Sequence, residues 1–110
     1  MAALIVFSTF PNESLAREAA GRLIEERLAA CVNILPGLTS LYRWKAKIEA
    51  SPEVLLIIKT TRDRYPQLES ALKACHTYEL PEILAVAADA GLPEYLLWVA
   101  EETVNNKDNP

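Results

Sequence analysis

Few side chains in this sequence are suited to chemistry at neutral pH. His76 is the sole histidine, and it directly follows Cys75. Imidazole and thiolate are the donors that copper and zinc prefer. Adjacent residues at a helix end rarely aim at one ion, so Glu79 or a second copy of the chain has to complete such a set. The competing reading places His76 over the last turn of a helix, where its charge suits the dipole, and packs Cys75 into the core. Cys31, the other cysteine, opens an apolar run and reads as a small core residue rather than a ligand.

A second constellation comprises Tyr42, Trp44, Lys59, Tyr78, Glu79 and Glu82. If a long hairpin and the loop after the second helix converge at a subunit boundary, these residues form a cleft with aromatic walls. Lys59 would then neutralise an anionic group, and Glu79 would hold an amine, a hydroxyl or a cation. The competing reading makes Tyr42 and Trp44 interface anchors and leaves Lys59 and Glu79 as an electrostatic pair.

The rest of the composition narrows the classes of function. The chain has 110 residues, 51% hydrophobic and 24% charged, which excludes intrinsic disorder and fits one domain, expected over residues 1–104 with a frayed tail at 105–110. A formal charge of −4 disfavours a partner bound through phosphate neutralisation, so no nucleic acid is expected. No apolar run approaches the ~20 residues that cross a bilayer, and the N-terminal residues lack the pattern of an export signal. With two cysteines too far apart for a Cys-x-x-Cys pair, the reducing cytoplasm is the expected compartment. There is no phosphate-cradling glycine loop, no Ser-His-Asp order and no His-Glu-x-x-His, so the chain does not read as an enzyme.

The elements that would hold these residues follow from periodicity. Ala3 to Thr9 is an apolar, β-branched run closed by Pro11 and Asn12, hence a strand. Asn12 is an N-cap for a helix from about Glu13 to Ala29, with Leu15, Ala19, Leu23, Ile24 and Leu28 on one stripe and Glu18 placed to pair with Arg22. Cys31 to Leu35 is strand-like up to Pro36-Gly37. Thr39 to Glu49 alternates as a second long strand, Ala50-Ser51-Pro52 supplies a turn, and Glu53 to Thr60 returns antiparallel. Asp63 caps a second helix with Pro66 in its first turn, and a loop spans His76 to Pro81. Ile83 to Ala88 is the last strand, and a third helix runs from about Glu94 to Thr103. Strand, helix, strand, strand, helix, strand, with an added helix, is the α+β, ferredoxin-like sandwich: one antiparallel sheet with two helices on one face.

That architecture leaves a surplus. A strand with a wet face should alternate, yet Leu4 to Phe7, Val54 to Ile58 and Ile83 to Ala88 are apolar at successive positions. One short helix cannot shield the second face of four strands. Left open, that face would be unfavourable by several kcal/mol at about 25 cal/mol per Å². Assembly of identical chains through sheet faces and strand edges is expected.

Six segments carry a family resemblance. Ala29-Ala30-Cys31-Val32-Asn33-Ile34, Pro36-Gly37, Ser40-x-Tyr42-x-Trp44, Ile57-Ile58-Lys59-Thr60, His76-x-Tyr78-Glu79-x-Pro81-Glu82-Ile83 and Tyr95-Leu96-x-Trp98 together resemble the CutA divalent-cation-tolerance proteins. The resemblance spans nearly the whole chain. It implies a ferredoxin-like homotrimer, similar in architecture to PII-type signalling proteins and linked to tolerance of copper and other divalent ions, with no obligatory cofactor and no catalytic activity. Relatives carry histidine at His76. Two departures stand out: Ala46 replaces a usual glycine, and Ser8 stands where some relatives have a cysteine proposed as a metal ligand. Two other uses of this topology fit less well. An acylphosphatase-like hydrolase needs a cationic loop, and Thr9-Phe10-Pro11-Asn12 supplies none. A soft-metal chaperone needs paired cysteines in its first loop.

Overall fold

The computed structural model describes residues 2–104; the expected tail at 105–110 lies outside the described residues. Seven elements follow in the order β1 (Ala3–Phe10), α1 (Glu13–Glu25), β2 (Cys31–Trp44), β3 (Lys47–Thr61), α2 (Tyr65–Cys75), β4 (Leu84–Ala87) and α3 (Pro93–Glu102). The strands form one antiparallel sheet in the order β2-β3-β1-β4, the ferredoxin-like arrangement expected from the element order.

The register sorts the sheet into two faces, because directly paired residues point the same way. Val6, Ile58 and Val32 are paired across three strands, and Ser8, Leu56 and Ile34 form the next row. Their face meets α1 and α2, and Phe10, Leu23, Leu56, Ile58, Leu68 and Leu72 are sealed between them. The opposite face carries Ile5 with Lys59 and Cys31, then Phe7 with Ile57, Asn33 and Leu84. α3 packs at its Cys31 end, where burial and the neighbouring Cys31 raise the Tyr95 pKa and Val99 is buried. The remainder of this face, around Phe7, Leu55 and Ile57, is only half-buried, and Leu84 and Val86 are 62% and 50% exposed. The surplus apolar surface inferred from the strands is therefore present and uncovered within one chain.

Several boundaries differ from expectation. α1 ends at Glu25 rather than Ala29 because Arg27 adopts a left-handed conformation (φ 56°), letting Arg27 N–H donate to the Ile24 carbonyl and Leu28 N–H to that of Leu23. Leu28 stays buried although it lies beyond the helix, whereas Ile24 of the expected stripe is exposed. Asn12 caps α1 as expected, its Oδ1 accepting from Leu15 N–H at 2.9 Å. Arg22 pairs with Glu26 at 2.7 Å instead of Glu18. Asp63 does not cap α2: the N-cap is Arg64, and no side chain satisfies the first turn.

The largest correction concerns the hairpin. Pro36-Gly37 does not end a strand; it is a bulge within β2, with the register shifting between Leu35 and Leu38 and Gly37 taking the positive φ (87°) that a side chain resists. Nor is Ala50-Ser51-Pro52 a turn. The chain reverses at Lys45-Ala46, both at positive φ (50° and 67°), and Trp44 pairs with Lys47. Two left-handed residues make the tight turn whose twist suits a hairpin, but its usual signature is Asn-Gly, so Lys-Ala gave no signal. Ile48 consequently shares a face with Arg43, not with Trp44. Pro52 sits inside β3 beyond Val54, where β1 has stopped and the strand has a neighbour on one side only. Residues 38–53 thus form a two-stranded ribbon projecting past the sheet, with Leu41 and Ile48 at 75% and 73% exposure.

Ala46 is the position of the usual glycine. A left-handed alanine is unfavourable by about 1–2 kcal/mol, partly offset because glycine is freer when unfolded. Ala46→Gly is expected to stabilise the protein by roughly 0.5–1 kcal/mol. A rise in urea midpoint at fixed protein concentration checks this; no rise means that the turn is unstrained.

Candidate functional site

The loop after α2 folds back against the root of the ribbon and creates a cleft of about 640 Å³. Tyr42 and Trp44 reach it from β2, Glu53 from β3, and Tyr78, Glu79 and Glu82 from the loop. Five of the residues singled out from sequence therefore meet in one chain: Tyr42, Trp44, Tyr78, Glu79 and Glu82. Lys59 does not join them. It lies on the half-buried sheet face, donating to the Asn33 side chain, six residues along β3 from Glu53. Its pairing with Asn33 also replaces the expected ion pair with Glu79.

Glu53 was not singled out from sequence. It is only 9% exposed, and its Oε2 accepts from the Tyr78 hydroxyl at 2.6 Å. Burial, this hydrogen bond and the charge of Glu53 hold the Tyr78 phenol far above the usual tyrosine range, so it remains a donor. The Tyr42 hydroxyl is tied to Ser51 Oγ at 2.9 Å across the ribbon. Both wall tyrosines are positioned from β3. The one available sequence signal for Glu53 was a carboxylate opening an otherwise apolar row.

His76 stands directly behind this wall. Its ring stacks on Phe10 at 4.0 Å between centroids and on Tyr78 at 5.5 Å. Nε2 lies 2.9 Å from Ser8 Oγ, while Nδ1 is buried without a partner. Burial lowers the His76 pKa below its ordinary value, with the Glu53 carboxylate opposing. Neutral imidazole is the metal-binding form, so the ring is held ready to donate.

The expected partners of His76 are placed elsewhere. Cys75 Sγ faces α1, 3.6 Å from Arg22 Nη1, and Glu79 opens to the cleft. Among the described residues no three His, Cys, Asp or Glu side chains lie close enough to hold one ion. A single chain offers an imidazole with an unused nitrogen, which fits a copper ion as one donor and not as a full set. Cys31 and Cys75 are both free thiols.

Comparison with known proteins settles the family. The profile of the CutA1 divalent ion tolerance protein matches residues 4–102. The chain belongs to this family. It is 50% identical to the divalent-cation tolerance protein CutA of Thermus thermophilus over 99 residues, which are 90% of this chain and 96% of that one. It is 44% identical to human protein CutA over 94% of this chain, but it spans only 58% of that longer relative. The solved structure of the divalent cation tolerance protein from Thermus thermophilus superposes with a TM-score of 0.91 at 48% identity, covering 93% of this chain and 99% of that one. CutA from Xylella fastidiosa gives a TM-score of 0.90 at 44% identity, covering 93% and 98%. The family and its two Thermus thermophilus relatives are named for tolerance of divalent cations. A relative from Arabidopsis thaliana is named chloroplastic and one from Archaeoglobus fulgidus periplasmic. No helix among the described residues is long and apolar enough to cross a membrane.

Proposed function

We propose that the protein works without catalysis, as a cytoplasmic homotrimer in the response to divalent metal ions, binding copper weakly through His76. The observation that carries the metal reading is the buried, unpartnered Nδ1 of that ring beside Ser8. One imidazole per chain predicts modest affinity, since tight copper sites gather several soft or nitrogen donors. Support for assembly comes from the uncovered apolar sheet face and the projecting ribbon, which one chain leaves in water. Cys75, held toward Arg22, and Glu79, in the cleft, contribute to the ion only if another chain or a rearrangement brings them to it.

Native mass spectrometry with and without copper(II) tests both halves together. The expected result is a three-chain particle that gains copper, and loses that gain in His76→Ala but not in Cys31→Ala. Ser8→Ala is expected to leave the copper gain in place, because Ser8 meets Nε2 and not the Nδ1 that carries the reading. A single-chain particle at micromolar concentration, or equal copper uptake by His76→Ala, overturns the proposal.

A second reading, a ligand sensor akin to the PII-type proteins, is favoured by the cleft. Its volume falls in the range of small-molecule sites, and its walls are pinned by the hydrogen bonds that Tyr78 donates to Glu53 and that Tyr42 shares with Ser51. A small hydrolase has less support: residues 9–12 between β1 and α1 bring no cation to a phosphate, and Asn12 is occupied in capping α1.

A further inference from the structure

We propose that the cleft between the ribbon and the loop after α2 binds a small organic amine as its ammonium ion. This rests on the ligand-sensor reading of the same cleft and adds the class of ligand. Sequence alone suggested a site of mixed charge, with Lys59 for an anion and Glu79 for a cation. The structure keeps Lys59 on another face beside Asn33, so the anion-binding half is gone. What remains is three carboxylates, Glu53, Glu79 and Glu82, against the single guanidinium of Arg43.

Glu53 carries the inference furthest. It is nine-tenths buried and lines the cavity, yet its hydrogen bonding is half complete. Oε2 accepts from Tyr78, whereas Oε1 makes no hydrogen bond among the described residues and is not among the sealed polar atoms. Among the described residues no cation pairs with this carboxylate, and a phenol donor leaves its charge intact. An ammonium group entering the cleft would supply both the missing donor and the missing charge. Glu79 and Glu82 are exposed, where their charge attracts a cation toward the opening.

The walls suit the same guest. Tyr42, Trp44 and Tyr78 line the cleft, and the face of an aromatic ring attracts cations through its quadrupole. The chain already uses one of these rings in that way: Lys45 Nζ stands 5.8 Å from the Trp44 ring centroid. A bare metal ion fits worse, because no three of the described acidic, histidine or cysteine side chains converge on one point. Carboxylates too dispersed for one ion, spread around a 640 Å³ space with aromatic walls, match an amine attached to an apolar body.

Calorimetric titration of the full-length protein with phenethylamine, 3-phenylpropanoate and 2-phenylethanol tests the assignment, since the three share a body and differ in charge. The amine is expected to bind once per chain, at least tenfold more tightly than the acid or the alcohol, and less tightly as salt is raised. Glu53→Gln keeps the shape and the Tyr78 donor, and is expected to weaken the amine at least tenfold. Tyr42→Ala, on the exposed ribbon, is expected to weaken it as well. If the acid or alcohol binds as tightly as the amine and Tyr42→Ala abolishes that binding, the ammonium assignment falls while the ligand-sensor reading stands. If none of the three binds, both fall. Unchanged amine affinity in Glu53→Gln, or stoichiometric displacement of the amine by copper(II), also overturns the assignment.

Discussion

Phe10→Ala is expected to lower stability by about 3–5 kcal/mol and, in the same molecule, to return His76 toward ordinary titration. Phe10 is fully buried at the end of β1 and belongs to the core sealed by α1 and α2, so truncation leaves a cavity where three elements meet. A domain of this size has about 5–15 kcal/mol in total, so the loss is a large fraction of it. The same ring forms one wall of the His76 environment, with centroids 4.0 Å apart. Burial is the main cause of the lowered His76 pKa, and removing the ring admits water.

The sign of the accompanying pH dependence follows from linkage. The folded state resists protonating His76, so between its lowered pKa and the unfolded value near 6.5 the unfolded chain binds more protons. Stability therefore declines as pH falls through that window, and His76 adds no slope above or below it. Denaturant titrations at several pH values, with an NMR titration of the single histidine, check both parts. Phe10→Ala should be less stable at every pH and show a shallower slope in the window. A variant that loses stability while its histidine titrates as in the parent would separate the core from the site.

This double role shows what could be read in advance and what could not. The fold was legible because it rests on short-range chemistry: β-branched runs for β1 and β4, the Asn12 cap for α1, and Pro81 behind the loop that holds His76 and Tyr78. The hairpin was half legible. Alternation announced its arms, but its turn depends on two left-handed residues with ordinary side chains, so its apex was expected about six residues too late. For the site, aromatics and carboxylates at Tyr42, Trp44, Tyr78, Glu79 and Glu82 could be collected by type, and the structure brings them together. Lys59 and Glu53 exchanged roles. Both lie on β3, and which of them meets the loop depends on the bulge at Pro36-Gly37, on how far the ribbon projects, and on how the loop folds back. None of those is a property of a local window. Cys75 and His76, adjacent in sequence, diverge at the helix end as their spacing implies, one toward Arg22 and one toward Ser8.

Placing a charge on the uncovered sheet face is expected to convert the assembled protein into single folded chains. Phe7 and Ile57 are direct cross-strand partners there, flanked by Leu84 on the β4 edge, and α3 shields only the far end near Cys31. Completing the burial of a half-covered Phe, Ile or Leu contributes roughly 1 kcal/mol, so several such residues per chain give on the order of 5 kcal/mol toward association. Lys59 on this face is already held by Asn33, so a glutamate buried there would reverse more than that gain. In water the same glutamate is tolerated, because α1 and α2 pack on the opposite face and do not touch it. Phe7→Glu and Ile57→Glu should therefore sediment as monomers with parental far-ultraviolet circular dichroism. Leu41→Glu, on the exposed ribbon and outside the core, serves if a sheet variant fails to fold. A parent that is itself monomeric at micromolar concentration, or variants with unchanged mass, would mean that this face stays wet. The assembly proposal would then fail, and the amine cleft, built from one chain, would remain to be judged by its own titration.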